Sequence, residues 1–432
     1  MKVLCAHGVA FVRAYDGVMA YDNGNVIDVR ANTTLSTENA IKGNVLVLGN
    51  SGVGKSTLIN AVIGDTVAKT SFGTRGTTSE LAVYESPTVP FRVIDSIGFE
   101  PSPIKSLRAV HAVRKWSKAS AKEGHEHNKI DVIWFCVDGT AAKLFPETIR
   151  NLSTAVSMWR SVPIITVITK SYSKPDRELN VQMVRQAFAG QRMERNLRAI
   201  IPVVAQTYVI DETAFAGPEG ISDLIDETMK AMPEGMRGGS HDLMAFKLTR
   251  KRVLAQGLIG ACVAAGATVG AVPIPIADSL VLSPLELGEL HGLARLYGID
   301  KDEGSKQFLD SIVQVGAASV VAHTSQTELV DFAAPGNPGV NIAASVLNAI
   351  VAASIIAALG EGAVIAFEQV YSGKRSVNDV TWVQNLMQEQ FGEGFLGKVS
   401  GVAQASAKAG DAKDMREMIV ELVKAAFMNR GE

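Results

Sequence analysis

The chain has few cysteines and little excess charge, and its first residues do not read as an apolar leader. Its three cysteines, Cys5, Cys136 and Cys262, are odd in number and far apart, and two of them sit inside apolar runs. That excludes a disulfide framework and a zinc-binding spacing, and it points to buried thiols in a reducing compartment. The formal net charge of −2 gives no electrostatic reason to expect a nucleic acid, so DNA is not an expected partner. No continuous apolar stretch precedes a small-residue cleavage site near the N-terminus, so a secretory signal is not expected and a cytoplasmic location is. The two imidazoles of His125-Glu126-His127 lie in a polar stretch with no third ligand at matching spacing, which argues against a metal site there.

With 432 residues, the chain is too long for one ordinary core. Its most informative segment is Gly49-Asn50-Ser51-Gly52-Val53-Gly54-Lys55-Ser56, directly after the apolar run Asn44–Leu48. Glycines at these places let successive backbone N–H groups curl toward phosphates, and a helix starting near Lys55 adds the positive end of its dipole. Lys55 is expected to reach the β and γ phosphates, the Ser56 hydroxyl to ligate Mg²⁺, and Thr57 to complete the binding segment. The pattern implies a site for a nucleoside triphosphate.

Further apolar runs follow at Leu81–Glu85, Phe91–Ile94, Val132–Val137, Pro163–Ile168 and Ile200–Val204, alternating with helical stretches. That alternation predicts a doubly wound, mostly parallel α/β sheet. The linker Ser86–Pro90 is too short for a crossover helix, so the runs on either side of it should form an antiparallel hairpin. Residues 1–43 precede this fold and should contain one hairpin centred on Asn23-Gly24. Proline and glycines cluster at 233–241, where the strand signal ends, so the expected organisation is an extension (1–43), a nucleotide domain (44–232), a linker (233–241) and an all-α region (242–432).

Beyond the phosphate loop, Asp95-Ser96-Ile97-Gly98 ends an apolar strand, where a carboxylate would hold a Mg²⁺ water and the Gly98 N–H would touch the γ phosphate. Gly73–Thr78 supplies threonines able to complete the metal shell, and Arg75 is a candidate catalytic cation in cis. Thr169-Lys170 can flank a purine ring, and another strand ends at Val204-Ala205. In order and spacing these segments resemble the Era-like branch of the translation-factor-related GTPases, over about residues 43–230.

The resemblance implies guanine as the base, GTP as substrate and GDP as product. It makes Gly76-Thr77-Thr78 the first switch, with Thr78 as the better Mg²⁺ ligand, and Asp95 with Gly98 the second. The sequence departs from the family at two places. Tyr172 stands where the guanine-selecting aspartate is usual, with Asp176 four residues later on what reads as a solvated loop. Phe99 stands where many relatives carry a water-orienting glutamine, which implies slow hydrolysis.

The last part of the chain reads as capped helices. Ser283-Pro284 with Glu286 opens one that Gly298 closes, Asp300 with Glu303 opens the next, and Met415, Met418, Ile419, Leu422, Val423 and Ala426 form a stripe expected to pack into a core. Gly257–Ala277 and Asn341–Gly360 are each about 20 residues without a charge, long enough to cross a bilayer, though a buried core helix explains them equally well. Pro273–Asp278 with Leu293–Gly298 resembles the helical domain of unknown function that often follows Era-like GTPase domains. The expected protein is thus a GTP-driven switch on a helical effector region, with a membrane-associated remodelling GTPase or an ATPase as rivals. Beyond GTP and GDP, candidate partners are a second copy of the chain, an activating protein, and the inner face of a membrane touched peripherally.

Overall fold

The computed structural model describes residues 4–6, 9–14, 17–22, 25–28, 42–64, 69–70, 81–85, 89–96, 129–155, 159, 161–211, 214–233, 240–269, 284–301, 304–324, 344–409 and 415–428. The N-terminal extension holds β1 (Leu4–Ala6), β2 (Val9–Ala14), β3 (Gly17–Asp22) and β4 (Asn25–Asp28), an antiparallel meander in sequence order. The expected hairpin is its last pair, closed at Asp22↔Asn25. The two strands before it are additional to the expectation: they are short, and β2 carries Arg13, so they lack a long apolar run.

The central sheet has seven strands: β5 (Gly43–Leu48), β6 (Lys69–Thr70), β7 (Leu81–Tyr84), β8 (Phe91–Ser96), β9 (Val132–Asp138), β10 (Ile164–Thr169) and β11 (Leu197–Pro202), in the spatial order β11-β10-β9-β5-β8-β7-β6. The strands from β11 to β8 run parallel, whereas β7 pairs antiparallel with β8 as the short linker requires. Most boundaries lie within two residues of expectation, and one differs by more. The last parallel strand begins at Leu197 rather than Ile200, because an edge strand tolerates polar residues such as Arg198 that break the apolar run. A small ribbon, β12 (Tyr208–Val209) with β13 (Phe215–Ala216), follows.

Strand alternation divides the core in two. Val45, Val47, Trp134, Cys136, Ile165 and Val167 face one side of the sheet, toward α1 (Lys55–Ile63). Their neighbours Leu46, Leu48, Ile133, Phe135, Ile164 and Ile168 face the other, toward α2 (Phe145–Ala155) and α3 (Lys174–Phe188). A further helix, α4 (Ile221–Ala231), closes the first side, and its Thr228 hydroxyl accepts a hydrogen bond from the Trp134 indole at 2.8 Å.

Only helices follow among the described residues: α5 (Ser240–Val269), α6 (Pro284–Tyr297), α7 (Ser305–Thr324), α8 (Ala344–Tyr371), α9 (Val380–Gln390), α10 (Glu393–Ala409) and α11 (Met415–Phe427). Gly298 ends α6 with φ 77°, as the cap pattern requires. The next α-helix starts at Ser305 rather than at Asp300, which lies in a short 3₁₀ turn (Ile299–Lys301).

The core of these helices is continuous with the α1 side of the sheet. The two long helices α5 and α8 pack closely because Gly266 leaves no side chain against Ile356, whose Cδ1 would lie 2.2 Å from an added Cβ. Of the two uncharged runs, the second lies in α8 from Ala344 onward. The segment Ser345–Tyr371 is the one helix among the described residues long and apolar enough to cross a membrane, with mean hydropathy 2.2 and 89% of that window buried inside the fold. The first run lies in α5 up to Val269, and its Pro273-Ile274-Pro275 lies outside the described residues. Of the expected C-terminal stripe, Ile419 and Val423 are buried and Met415, Met418, Leu422 and Ala426 half-buried, while Val420 and Phe427, outside the stripe, are buried too.

Candidate functional site

Strand β5 delivers the phosphate loop to the carboxyl edge of the sheet, the edge where open α/β folds hold their ligands. Gly49, Gly52 and Gly54 have φ of 153°, 77° and 99°. At Gly49 the constraint is also spatial, since an added Cβ would lie 2.7 Å from the Cys136 carbonyl oxygen. Gly54 caps α1 with no side-chain acceptor on its first-turn N–H groups, and the first turn carries no acidic residue. That is the donor arrangement an anion requires. Lys55 Nζ donates to the carbonyls of Gly49 at 2.9 Å and Asn50 at 3.1 Å, which holds the ammonium across the loop. An ammonium has three donors, so one remains for a phosphate oxygen.

Ser56 is exposed in the first turn of α1, and Thr57 follows it half-buried. Asp95 is 7% exposed on β8, in register with Val47 of β5, the strand that leads into the loop. Both Lys55 and Asp95 act electrostatically on Cys136, beneath the loop. Burial pushes its thiol up to about 12, Asp95 adds to the rise and Lys55 opposes it. Cys136 is therefore a protonated packing residue. Ser56 and Asp95 are hard oxygen donors, the chemistry Mg²⁺ selects, and they fit the expected ion. Arg75, Thr78, Gly98 and Phe99 lie outside the described residues, as does His125-Glu126-His127.

On the other flank of the loop, the end of β10 is tied directly to it. The Thr169 hydroxyl donates to the carbonyls of Val53 at 2.6 Å and Val137 at 2.9 Å. Lys170, with φ 52°, sends its ammonium to the Gly52 carbonyl at 2.8 Å and to Asp138 at 2.6 Å. Asp138, which sequence reasoning did not single out, ends β9 beside Thr169. Burial raises its carboxyl, but hydrogen bonds from Lys170 and Thr140 outweigh that and hold it below the usual carboxylate range. A 170 Å³ cleft beside the loop is lined by Asn50, Ser51, Gly52, Val53 and Asp138 among others.

Ala205 lies just past Val204, whose backbone pairs with Glu219. Asp176 is not a loop residue. It sits in the first turn of α3, which starts at Lys174 with Pro175 second, and where the helix dipole favours a carboxylate. Tyr172 stacks face to face on Tyr208 of β12, with centroids 4.0 Å apart and planes 12° from parallel.

Residues 44–170 match the profile of the family described as 50S ribosome-binding GTPase. No curated protein matches the chain significantly. Among solved structures it is similar to a variant of SsGBP, at 12% identity over 41% of this chain and 54% of that one, with a TM-score of 0.24. It is also similar to a dimerization-deficient variant of Toc33 from Arabidopsis thaliana, at 13% identity over 47% of this chain and 89% of that one, TM-score 0.29. A third similar structure is a variant of Era from Aquifex aeolicus bound to GDP and AlF4⁻, at 21% identity over 49% of this chain and 67% of that one, TM-score 0.27. The chain carries a P-loop GTPase domain, a mostly parallel sheet with a phosphate loop, followed by a helical region.

Proposed function

We propose that this protein is a slow, Mg²⁺-dependent GTP hydrolase that works as a nucleotide-dependent switch on its own helical region. The observation that carries this reading is that α1 is held at both ends. Its N-terminus is the phosphate loop, and at its C-terminal end Arg250 of α5 donates to the carbonyls of Ala61 at 3.0 Å and Asn60 at 3.3 Å. Arg250 is 8% exposed, and its guanidinium fills the space that a side chain at Gly64 would need. A helix is stiff along its axis, so a shift of its phosphate end is felt at Arg250 and passed to α5. Close by, Lys247 of α5 pairs with Asp226 of α4 at 2.8 Å, a second tie between the two regions.

In this reading Lys55 neutralises phosphate charge, Ser56 and Asp95 with Thr78 hold Mg²⁺, which would spread the charge of the transferring phosphoryl group, and Gly98 contacts the γ phosphate. The aromatic Phe99 after Gly98 cannot orient a water, so Arg75 or a partner supplies what the site lacks and intrinsic turnover is slow. Base selection favours GTP over ATP modestly.

Hydrogen exchange on the full chain, compared between GDP and a non-hydrolysable GTP analogue, tests the switch. Protection in α1 and in the N-terminal half of α5 should change together with the nucleotide, and the change in α5 should vanish in Arg250→Ala. A nucleotide response confined to the sheet region would overturn the proposal.

A further inference from the structure

The end of β10 and the segment after β11 meet in a feature that motif reading alone does not supply. On the carboxyl edge of the sheet, β8 lies on one side of the phosphate loop with Asp95, and β9, β10 and β11 lie on the other. A nucleotide whose terminal phosphates and metal face Asp95 must lead its base toward the β10 side. There Thr169 and Lys170 are bonded to the loop carbonyls, and the chain turns sharply, with the Tyr172 N–H donating to the Lys170 carbonyl at 2.8 Å. The turn presents the Tyr172 ring against Tyr208, a stacked aromatic wall whose outer ring is 46% exposed. No carboxylate occupies Thr169–Tyr172. Burial and the nearby Tyr208 and Asp138 raise the Tyr172 phenol, with Lys170 opposing, so it is neutral at physiological pH.

We infer that the Tyr172–Tyr208 stack is the base-contacting element of this site and that it sets a weak preference among purines. The inference rests on the phosphate-site reading above. A carboxylate accepts hydrogen bonds only, so it rewards a guanine edge carrying two N–H groups and rejects an adenine edge that presents an acceptor. A phenol both donates and accepts, so it satisfies either edge. An aromatic face stacks on any base.

Fluorescent GDP and ADP analogues, titrated against the full chain and displaced by inorganic tripolyphosphate, separate base from phosphate contributions. Tyr208→Ala should weaken GDP and ADP analogues by a similar factor, about five- to tenfold by the usual worth of a stacked base. Tripolyphosphate affinity should stay unchanged. Tyr208→Phe, which keeps an aromatic face on Tyr172, should recover most of the nucleotide affinity that Tyr208→Ala loses. Tyr172→Asp should raise the ratio of GDP to ADP affinity by roughly tenfold or more.

Nucleotide affinities unmoved by Tyr208→Ala, or a GDP-to-ADP ratio unmoved by Tyr172→Asp in a protein that still melts cooperatively, would reduce the stack to a brace for the β12–β13 ribbon. Failure of the wild type to bind either nucleotide or tripolyphosphate would remove the phosphate site itself, a different result from selective failure at the base.

Discussion

The sheet region and the helical region both bury polar groups, and a buried acid in each finds different company. In the sheet region, several of these groups at the strand ends are answered by backbone. Asp131 accepts from the Asn44 N–H at 2.9 Å, the Asn44 amide donates to the Lys129 carbonyl at 2.9 Å, and the Thr169 hydroxyl reaches two carbonyls at once. In the helical region Glu289 of α6 is 0% exposed, and neither of its carboxyl oxygens has a hydrogen-bond partner among the described residues. The difference follows from secondary structure. Strand ends and helix ends leave N–H and C=O groups that a neighbouring side chain can satisfy, as Lys251 of α5 does at the Leu296 carbonyl near the end of α6, whereas Glu289 lies in mid-helix, beside backbone that is already paired. Arg250 stands at the junction of the two habits, a helical-region side chain that answers the C-terminal carbonyls of a helix in the sheet region.

The largest expected effect breaks that junction. Arg250→Ala strips a buried guanidinium from the carbonyls of Asn60 and Ala61 and leaves a void beside Gly64. Charged hydrogen bonds of this kind, lost while the acceptors stay buried, cost about 2–4 kcal/mol in total. Denaturant unfolding should show that loss. Arg250→Met, which restores packing without donors, should recover only the part due to volume. Equal stability of Arg250→Met and wild type would show that the carbonyls find other donors.

Next comes Glu289 itself. Burial holds its carboxyl well above the usual carboxylate range, and Glu286 on its own helix and Glu361 on α8 push in the same direction, while Cys262 of α5 faces it as a neutral thiol. A carboxyl that is neutral when folded and ionised when unfolded binds more protons in the native state. Its contribution is therefore complete below the unfolded pKa and falls as pH rises above it, by at most about 1.4 kcal/mol per pH unit. Replacing it with a similarly sized apolar side chain is expected to stabilise by about 1–3 kcal/mol at pH 8. Glu289→Leu should therefore gain stability over wild type at pH 8, gain less at pH 5.5, and flatten the decline between them in urea titrations. A gain independent of pH would mean that Glu289 is ionised in the native protein.

What could be read beforehand divides along the same line. The phosphate loop, the β5, β8, β9 and β10 strands and the β7–β8 hairpin are local: each is set by a run of a few residues and a turn, and each lies within two residues of where the pattern put it. Gly298 at the end of α6 is local too. Asp138, Tyr208, Arg250 and Glu289 were not legible, because their roles arise from partners 32, 36, 189 and 72 residues away in Lys170, Tyr172, Ala61 and Glu361. A charged residue in an amphipathic helix carries no mark that it will meet the end of another helix. Asp176 was misplaced because Pro175 reads equally as a loop residue and as a first-turn residue of a helix, and only the tertiary setting chose the helix.

Inside the sheet region, Trp134 offers an intermediate test. Its ring packs edge-on against Phe91 at 5.7 Å and its indole donates to Thr228. Trp134→Phe keeps the aromatic contact and removes the donor, so the Thr228 hydroxyl loses that partner while still donating to the Leu224 carbonyl at 2.6 Å. The expected cost is about 1–2 kcal/mol, including lost volume. A pairing of Trp134→Phe with Thr228→Val should be less than additive if the hydrogen bond is the source.

The smallest effect on stability is at the Lys170–Asp138 pair, whose side chains are 31% and 24% exposed. Partial solvation reduces such a pair to about 1 kcal/mol or less, so Asp138→Asn should barely move the denaturation midpoint. Its pH signature is opposite to that of Glu289. Because the native carboxyl is held below the usual range, its stabilisation is present above the unfolded pKa and is lost as pH falls through the folded one. Asp138→Asn should thus match wild type at acid pH and fall slightly below it at neutral pH. Function is the sharper readout. Freed from Asp138, the Lys170 ammonium keeps only the Gly52 carbonyl, and the strand end that carries Tyr172 is held less firmly against the phosphate loop. Nucleotide affinity should fall more than tripolyphosphate affinity in this variant, although Asp138 lines the cleft beside the loop. An equal loss for both would place Asp138 in the phosphate site instead of in the support of the base wall.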